Sequence, residues 1–335
     1  MTSPFLRSAL ALGATAGLTM GLVACSDSDE ANGGAANGSE GDPVRIVTST
    51  KVWADVADAV IGDAEGVEIE PIIASNDLDP HSYQPTAADM AVVEQADVLI
   101  AGGGHYDAWL TDAASENTDA IVLTALPGDG DEHGEEGHAG EVEAEEGHDH
   151  ENHEGHEHGE EGHDHEDHEG HDHEVNEHIW YDTDAVKELA GELSDEVNEH
   201  WKLDTSDEDV VKRLDSIEER KADLPEATTA QTHPLADDII AGTDIADETP
   251  EGYRSTTLSE SEPSAADVAA MLELIESGNL DFLIDAPQTR DQVSERLVEA
   301  AQAKGIRIVN VLEAPNANET YFDLYERILD DLEQE

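Results

Sequence analysis

Three histidines are placed where they could hold a metal. His81 lies in Asp79-Pro80-His81-Ser82-Tyr83-Gln84-Pro85, His178 in Asn176-Glu177-His178-Ile179-Trp180-Tyr181-Asp182, and His233 in Thr232-His233-Pro234. Each falls where a loop leaves a strand or enters a helix, so three imidazoles from separate loops can converge. Neutral imidazole is a ligand for zinc and neighbouring divalent metals. His105, behind Gly102-Gly103-Gly104, and His200, late in a helical stretch, read instead as a polar loop residue and an exposed helix residue.

A second concentration of ligands is of another kind. Asp131 to Glu174 is made of Gly, His, Asp and Glu with almost no apolar side chain, and it holds 12 of the 17 histidines and 20 of the 82 acids. These are His133, His138, His148, His150, His153, His156, His158, His163, His165, His168, His171 and His173. Such a segment has nothing to bury, which predicts a disordered loop over 128–175. Its repeated Gly-His-Asp-His and Glu-Gly-His units predict low-affinity binding of several divalent ions.

The elements that must position the three histidines alternate between strand and helix signals on both sides of this tract. Before it, Val44–Thr48, Val67–Ile73, Asp97–Ala101 and Ala120–Thr124 read as strands. Val52–Ile61, a stretch capped by Thr86 and Asp89, and Tyr106–Ala113 read as helices between them. After it, Val186, Leu189, Leu193, Val197 and Trp201 step at helical spacing, and Ser206–Ala222 forms a second helix suited to joining two lobes. Ala227–Gln231, Asp281–Ile284 and Ile306–Leu312 read as further strands. Helices are predicted at Leu235–Ile240, after Ser264 (with Asp267 three residues on), after Thr289 (with Gln292) and over Asn318–Leu332. No internal repeat is visible. The rhythm predicts an α/β fold of two Rossmann-like lobes with parallel sheets, joined by a long helix. The ends of the strands would then face a crevice between the lobes. The corresponding boundaries are an amino-terminal lobe at 43–203, the linking helix at 204–224 and a carboxy-terminal lobe at 225–335.

The first residues read as an address. Arg7 is the only basic residue among the first 44, and an apolar run from Ser8 to Ala24 follows it. Leu22-Val23-Ala24-Cys25 resembles the bacterial lipobox, which makes 1–24 a lipoprotein signal peptide and Cys25 the lipidated first residue. Residues 25–42 are then a flexible tether, and the protein is extracytoplasmic, lipid-anchored to the outer face of the cytoplasmic membrane.

Charge and cysteine content exclude several classes. With Lys+Arg 15 against Asp+Glu 82, the net charge is −67, which argues against phosphate-backbone binding and hence against a nucleic-acid partner. One cysteine excludes an internal disulfide framework and a Cys-based zinc site. The acidity persists outside the tract, where 82 − 20 = 62 acids remain. It fits a surface adapted to high salt, or a field that attracts cations.

From Val44 to its end the chain resembles the solute-binding lipoproteins of zinc/manganese-class ABC importers, the family of zinc-uptake periplasmic binding proteins. The resemblance is carried by Asp79-Pro80-His81 with Tyr83-Gln84-Pro85, by Glu177-His178-Ile179-Trp180-Tyr181-Asp182, by the His-rich insert before the latter, and by Asp285-Ala286-Pro287-Gln288-Thr289. It implies four metal ligands, two from each lobe. His81, His178 and His233 match three of them, although His233 lacks the usual His-Asp-Ala context. The fourth is usually an Asp soon after the last strand. Glu313 in Val311-Leu312-Glu313-Ala314-Pro315 is the nearest match, with Asp285 in reserve, or water completing the shell. Three imidazoles and one carboxylate suit Zn²⁺, whereas Mn²⁺ favours more oxygen. The resemblance implies capture and delivery of the ion without covalent chemistry, by a monomer that docks on an ABC permease and its ATPase. A manganese importer, an extracellular metal buffer or adhesin, and a secreted zinc hydrolase are the alternatives. No His-Glu-x-x-His helix favours the last.

Overall fold

A computed structural model describes residues 43–74, 76, 80–117, 120–126 and 175–334. The lipobox with Cys25 and the His-rich tract lie outside them. The first half runs β1 (Val44–Thr50), α1 (Lys51–Ile61), β2 (Val67–Ile73), α2 (Ala87–Val93), β3 (Val98–Ala101), α3 (Ala108–Asn117) and β4 (Ile121–Thr124). Two helices follow, α4 (Thr183–Trp201) and α5 (Glu208–Ala222). The second half runs β5 (Ala227–Gln231), α6 (Asp237–Ile240), β6 (Ile245–Asp247), α7 (Glu251–Leu258), α8 (Ala265–Ser277), β7 (Phe282–Asp285), α9 (Gln292–Lys304), β8 (Arg307–Asn310) and α10 (Tyr321–Leu332).

The strands form two all-parallel sheets with the same order, β2-β1-β3-β4 and β6-β5-β7-β8. Both are covered on two faces, and the strand sequences show why. In β1, Ile46 joins one apolar cluster and Val47 another; in β3, Val98 and Ile100 face the first and Leu99 and Ala101 the second. Strands buried on both sides read as continuous apolar runs instead of alternating ones. The edge strand β2 does alternate, with Val67 and Ile69 against Glu68 and Glu70, and it tolerates Pro71. The second sheet repeats the scheme, with Phe282 and Ile284 facing the cluster shared with the first half and Leu283 facing its own outer layer.

Helix α5 packs against α1 and α4 and also against α10. Val210, Leu214 and Ile217 form its buried stripe, and Arg220 reaches Asp330 at 2.7 Å and Glu333 at 2.9 Å near the end of α10. Buried Lys221 donates to Glu218 Oε1 and to the Asp238 carbonyl, both at 2.8 Å.

The local signals that mark helix starts hold at Thr86 with Asp89 and at Ser264 with Asp267, both complete capping boxes. The cap expected at Thr289 is displaced to Asp291, whose carboxylate accepts from Val293 N and Ser294 N, while Thr289 Oγ1 donates to the Ala286 carbonyl. The helix expected over Leu235–Ile240 divides into a 3₁₀ turn at Pro234–Ala236 and the short α6.

Asp238 on α6 offers a pH test. Burial, then the nearby carboxylates of Asp182 and Asp237, push it up from 3.8 to about 6. The folded chain therefore holds this proton more tightly than the unfolded one, and stability present below 3.8 is lost as pH rises through about 6. Asp238→Asn should melt above the unsubstituted protein at neutral pH, with the gap closing as the pH falls through this range. A gap that stays constant across a pH series of melting curves would refute this.

Candidate metal centre

The loops at the carboxyl ends of the strands carry most of the centre. His81 sits in a 3₁₀ turn, Pro80–Ser82, between β2 and α2; His233 lies two residues after the end of β5; Glu313 follows β8. His233 is extended, at φ −148° and ψ 141°, as a residue before proline prefers. His178 opens a 3₁₀ turn, Ile179–Tyr181, whose three side chains are buried. That turn is pinned from the second half. Tyr321 Oη donates to the Trp180 carbonyl at 2.5 Å and Tyr325 Oη to that of Tyr181 at 2.9 Å. Tyr181 Oη in turn donates to the Leu312 carbonyl at 2.6 Å, tying the His178 turn to the residue before Glu313.

The ligand-type atoms of His81, His178, His233 and Glu313 all lie within 4.8 Å of one another. His178 Nε2 is 3.1 Å from His233 Nε2 and 3.3 Å from His81 Nε2. Glu313 Oε1 stands 3.5 Å from His81 Nε2 and 3.7 Å from His178 Nε2. A tetrahedron around zinc with bonds of about 2.0–2.1 Å has edges of about 3.4 Å. The four separations of 3.1, 3.3, 3.5 and 3.7 Å lie close to it, within a set whose outer limit is 4.8 Å. Glu313 is 1% exposed, and its Oε1 faces the His81 and His178 imidazoles, so a buried carboxylate oxygen is aimed at the point where the nitrogens converge. Its other oxygen, Oε2, accepts from Tyr106 Oη at 3.3 Å.

The tautomer of His178 follows from its neighbour. The Asn176 amide nitrogen donates to the Pro234 carbonyl at 2.7 Å and to Asp237 Oδ2 at 2.8 Å, so its Oδ1 is the acceptor. His178 Nδ1–H donates to that oxygen at 2.6 Å, which leaves the Nε2 lone pair directed at the centre. Asn176 thereby joins the loops of two candidate ligands. Burial pushes His178 down to about 3, keeping it neutral and ligand-competent. Burial alone would raise Glu313, but His178, His81 and His233 outweigh it and hold the carboxyl down at about 2. Burial would lower His81, and Glu260 and Glu313 outweigh it, so the metal-free imidazole is pushed up to about 10. A metal ion arriving here displaces that proton.

A glycine turn supports the same corner. The Asp107 carboxylate accepts from Gly102 N at 2.7 Å and Gly103 N at 2.9 Å, and α3 begins at Ala108, two residues later than the predicted start at Tyr106. Gly104, at φ 65°, packs so closely on Glu177 that a Cβ would stand 2.7 Å from its carboxyl carbon. The turn carries Tyr106, whose ring meets that of His81 edge-on at 4.8 Å.

The reserve candidate Asp285 is not brought into the cluster. It is fully buried, accepts from Thr232 Oγ1 at 3.0 Å and pairs with Arg290, so its charge is already compensated. His105 is 97% exposed and bonded to Glu177, and His200 pairs with Glu196 on the surface of α4. Asn176, Tyr106, Tyr181 and Glu260 are supporting residues that sequence reasoning did not single out. Asn176 and Tyr181, two residues before and three after His178, lie in the motif quoted around it and had a local signal; Tyr106 and Glu260 had none.

Two parallel-sheet lobes whose strand ends converge on three imidazoles and a carboxylate define the architecture of a two-lobed solute-binding protein with a candidate metal centre. The chain belongs to the family described as zinc-uptake complex component A, periplasmic, whose sequence model matches residues 46–335. It is 31% identical over 98 residues to the manganese ABC transporter substrate-binding lipoprotein PsaA of Streptococcus pneumoniae, a match spanning 28% of this chain and 29% of that protein. It is 30% identical over 89 residues to the manganese-binding lipoprotein MntA of Halalkalibacterium halodurans, spanning 26% and 28%. The chain thus matches less than a third of the length of these relatives. The periplasmic zinc-binding protein TroA of Treponema pallidum superposes with a TM-score of 0.60 at 16% identity, covering 87% of this chain and 98% of that one. The laminin-binding protein Lmb of Streptococcus agalactiae, described as bifunctional with adhesin and metal-transporting activity, gives 0.59 at 15% identity with the same coverage. At these identities the structures speak for the fold. No helix among the described residues is long and apolar enough to cross a membrane.

Proposed function

We propose that the protein captures Zn²⁺ outside the cytoplasmic membrane and delivers it to an ABC import permease driven by its ATPase, held at the membrane by lipid on Cys25. The observation that carries this is the fully buried Glu313 Oε1 facing the imidazole nitrogens of His81 and His178, with His233 beside them. Three nitrogens and one oxygen around one point are a zinc donor set. With Glu313 as fourth ligand the shell is closed, which suits a carrier; a zinc hydrolase needs an open position for water. The two named relatives favour manganese as a second reading. Competitive titration separates the two, because the imidazole-rich set should prefer zinc by orders of magnitude.

Delivery requires opening. Asn176 and Tyr181 bridge loops from both sides of the centre, and α5 packs on helices of both halves, so release proceeds by small shifts around a rigid helix. The His-rich tract serves as a low-affinity reservoir. Metal analysis and titration of the form beginning after Cys25, with and without Asp131–Glu174, test this division. One tight zinc ion per chain is expected in both, with the weak ions lost on deletion. Disappearance of the tight site with the tract would move the function onto the tract and make the protein a buffer.

A further inference from the structure

Glu260 stands in a conformation that the rest of the chain leaves mostly to glycine. It follows α7 in a tight turn at φ 51°, and apart from Lys202 the other positive-φ positions among the described residues are Gly. The turn is closed by bonds from Glu260 N to the Thr257 carbonyl at 3.2 Å and from Ser261 N to that of Thr256 at 2.9 Å. A side chain with a Cβ is strained there, so its retention needs a compensating contact. That contact is on the far side of the centre. The Glu260 carboxylate meets His81 Nδ1, joining a loop of the second half to a candidate ligand of the first. The Glu260 side chain is 49% exposed and that of His81 10%. The pair borders a cavity of about 300 Å³ that also touches His233, Tyr253, Thr257 and Ser261.

We infer that Glu260 is a positioning residue for the metal centre: by accepting the Nδ1 proton of His81 it directs Nε2 at the ion and latches the two halves across it. This rests on the four-ligand zinc reading above. The logic is the one Asn176 applies to His178, except that a carboxylate also makes the imidazole more electron-rich and so a stronger donor. The bond spans 179 residues of sequence, so it forms only when both halves are in place. Opening the centre must break it, and its loss should act mainly on the rate of zinc release.

The test compares Glu260→Gly, Glu260→Ala and Glu260→Gln in the form lacking Asp131–Glu174, using competition with a chromophoric chelator for affinity and stopped flow for release. Glycine relaxes the backbone while removing the carboxylate, so it separates the side chain's role from the turn's. Gly and Ala should weaken zinc binding by about 10–100-fold, through faster release, whereas Gln keeps an acceptor for Nδ1–H and retains most of the affinity. Co²⁺ in place of zinc should keep its tetrahedral absorption in all three, because no ligand is lost. Affinity in Glu260→Gly equal to the unsubstituted protein would overturn the inference. So would an equal loss in Gln and Gly, which would make Glu260 a source of charge only. Absence of a tight zinc ion in the unsubstituted protein would instead overturn the centre itself, and this inference with it.

Discussion

His178→Ala should cost the protein at least about a hundredfold in zinc affinity. Apparent zinc-binding free energies of about 10–16 kcal/mol are shared among four ligands in structural sites, or about 3 kcal/mol each. Each 1.4 kcal/mol is about tenfold. His178 is the strongest choice among the four because its Nε2 lies closest to two others, at 3.1 and 3.3 Å, and because Asn176 has already fixed its tautomer. Little of its orientation has to be organised when the ion arrives. Its loss also leaves the buried Glu313 carboxylate with one imidazole fewer. The measurement is calorimetric or competitive titration in the form without the His-rich tract, whose own ions would otherwise mask the loss. Thermal denaturation gives an independent reading. Ligand at a thousand times its Kd stabilises a fold by about 4 kcal/mol, and that increment should shrink sharply in the variant. His105→Ala is the control, since the exposed imidazole touches Glu177 and not the cluster. An unchanged affinity in His178→Ala would remove the centre from this place in the fold.

How far the sequence leads here depends on how local each determinant is. Strand β2 is read to the residue, from Val67 to Ile73, because apolar alternation and a flanking glycine sit side by side in the chain. The capping boxes at Thr86 and Ser264 are legible for the same reason, each needing two residues three apart. The short β6 and α7 pass unread. Three residues make no period, and α7 has one fully buried side chain, Tyr253. The matching strand order of the two sheets is invisible as a sequence repeat, because the parallel crossover rules fix topology without fixing residues. At the centre, the four candidate ligands were legible through loop position and resemblance, and the geometry gathers them. Their supports were not. Tyr106 to Glu313, Tyr181 to Leu312 and His81 to Glu260 join residues more than a hundred apart. Asp285 shows the converse. An acid at the end of a strand looks like a ligand until Thr232 and Arg290 are seen to hold it.

Those supports make the second large effect one of stability. Tyr325→Ala should cost about 3–5 kcal/mol in the free energy of unfolding, as removal of a large buried aromatic generally does. Tyr325 is fully buried on α10, its ring meets that of Tyr181 edge-on at 5.2 Å, and its hydroxyl satisfies the Tyr181 carbonyl at 2.9 Å. Three of these contributions can be separated. Tyr325→Phe keeps the ring and leaves the carbonyl unpaired in a buried setting, which should cost about 1–3 kcal/mol. The remainder in Tyr325→Ala is packing and cavity. The third is positional: Tyr181 is also the residue whose hydroxyl holds the Leu312 carbonyl, one residue before Glu313. Loosening α10 from the Ile179–Tyr181 turn therefore lets His178 and Glu313 drift together, and zinc affinity should fall in Tyr325→Ala while all four ligands remain. Denaturant unfolding with and without zinc measures both effects on one sample. A loss of stability without any loss of affinity would mean that the turn keeps its place without α10, and that Asn176 alone is enough to aim His178. A loss of both would make the carboxy-terminal helix, which touches no metal, the element that sets how firmly the ion is held.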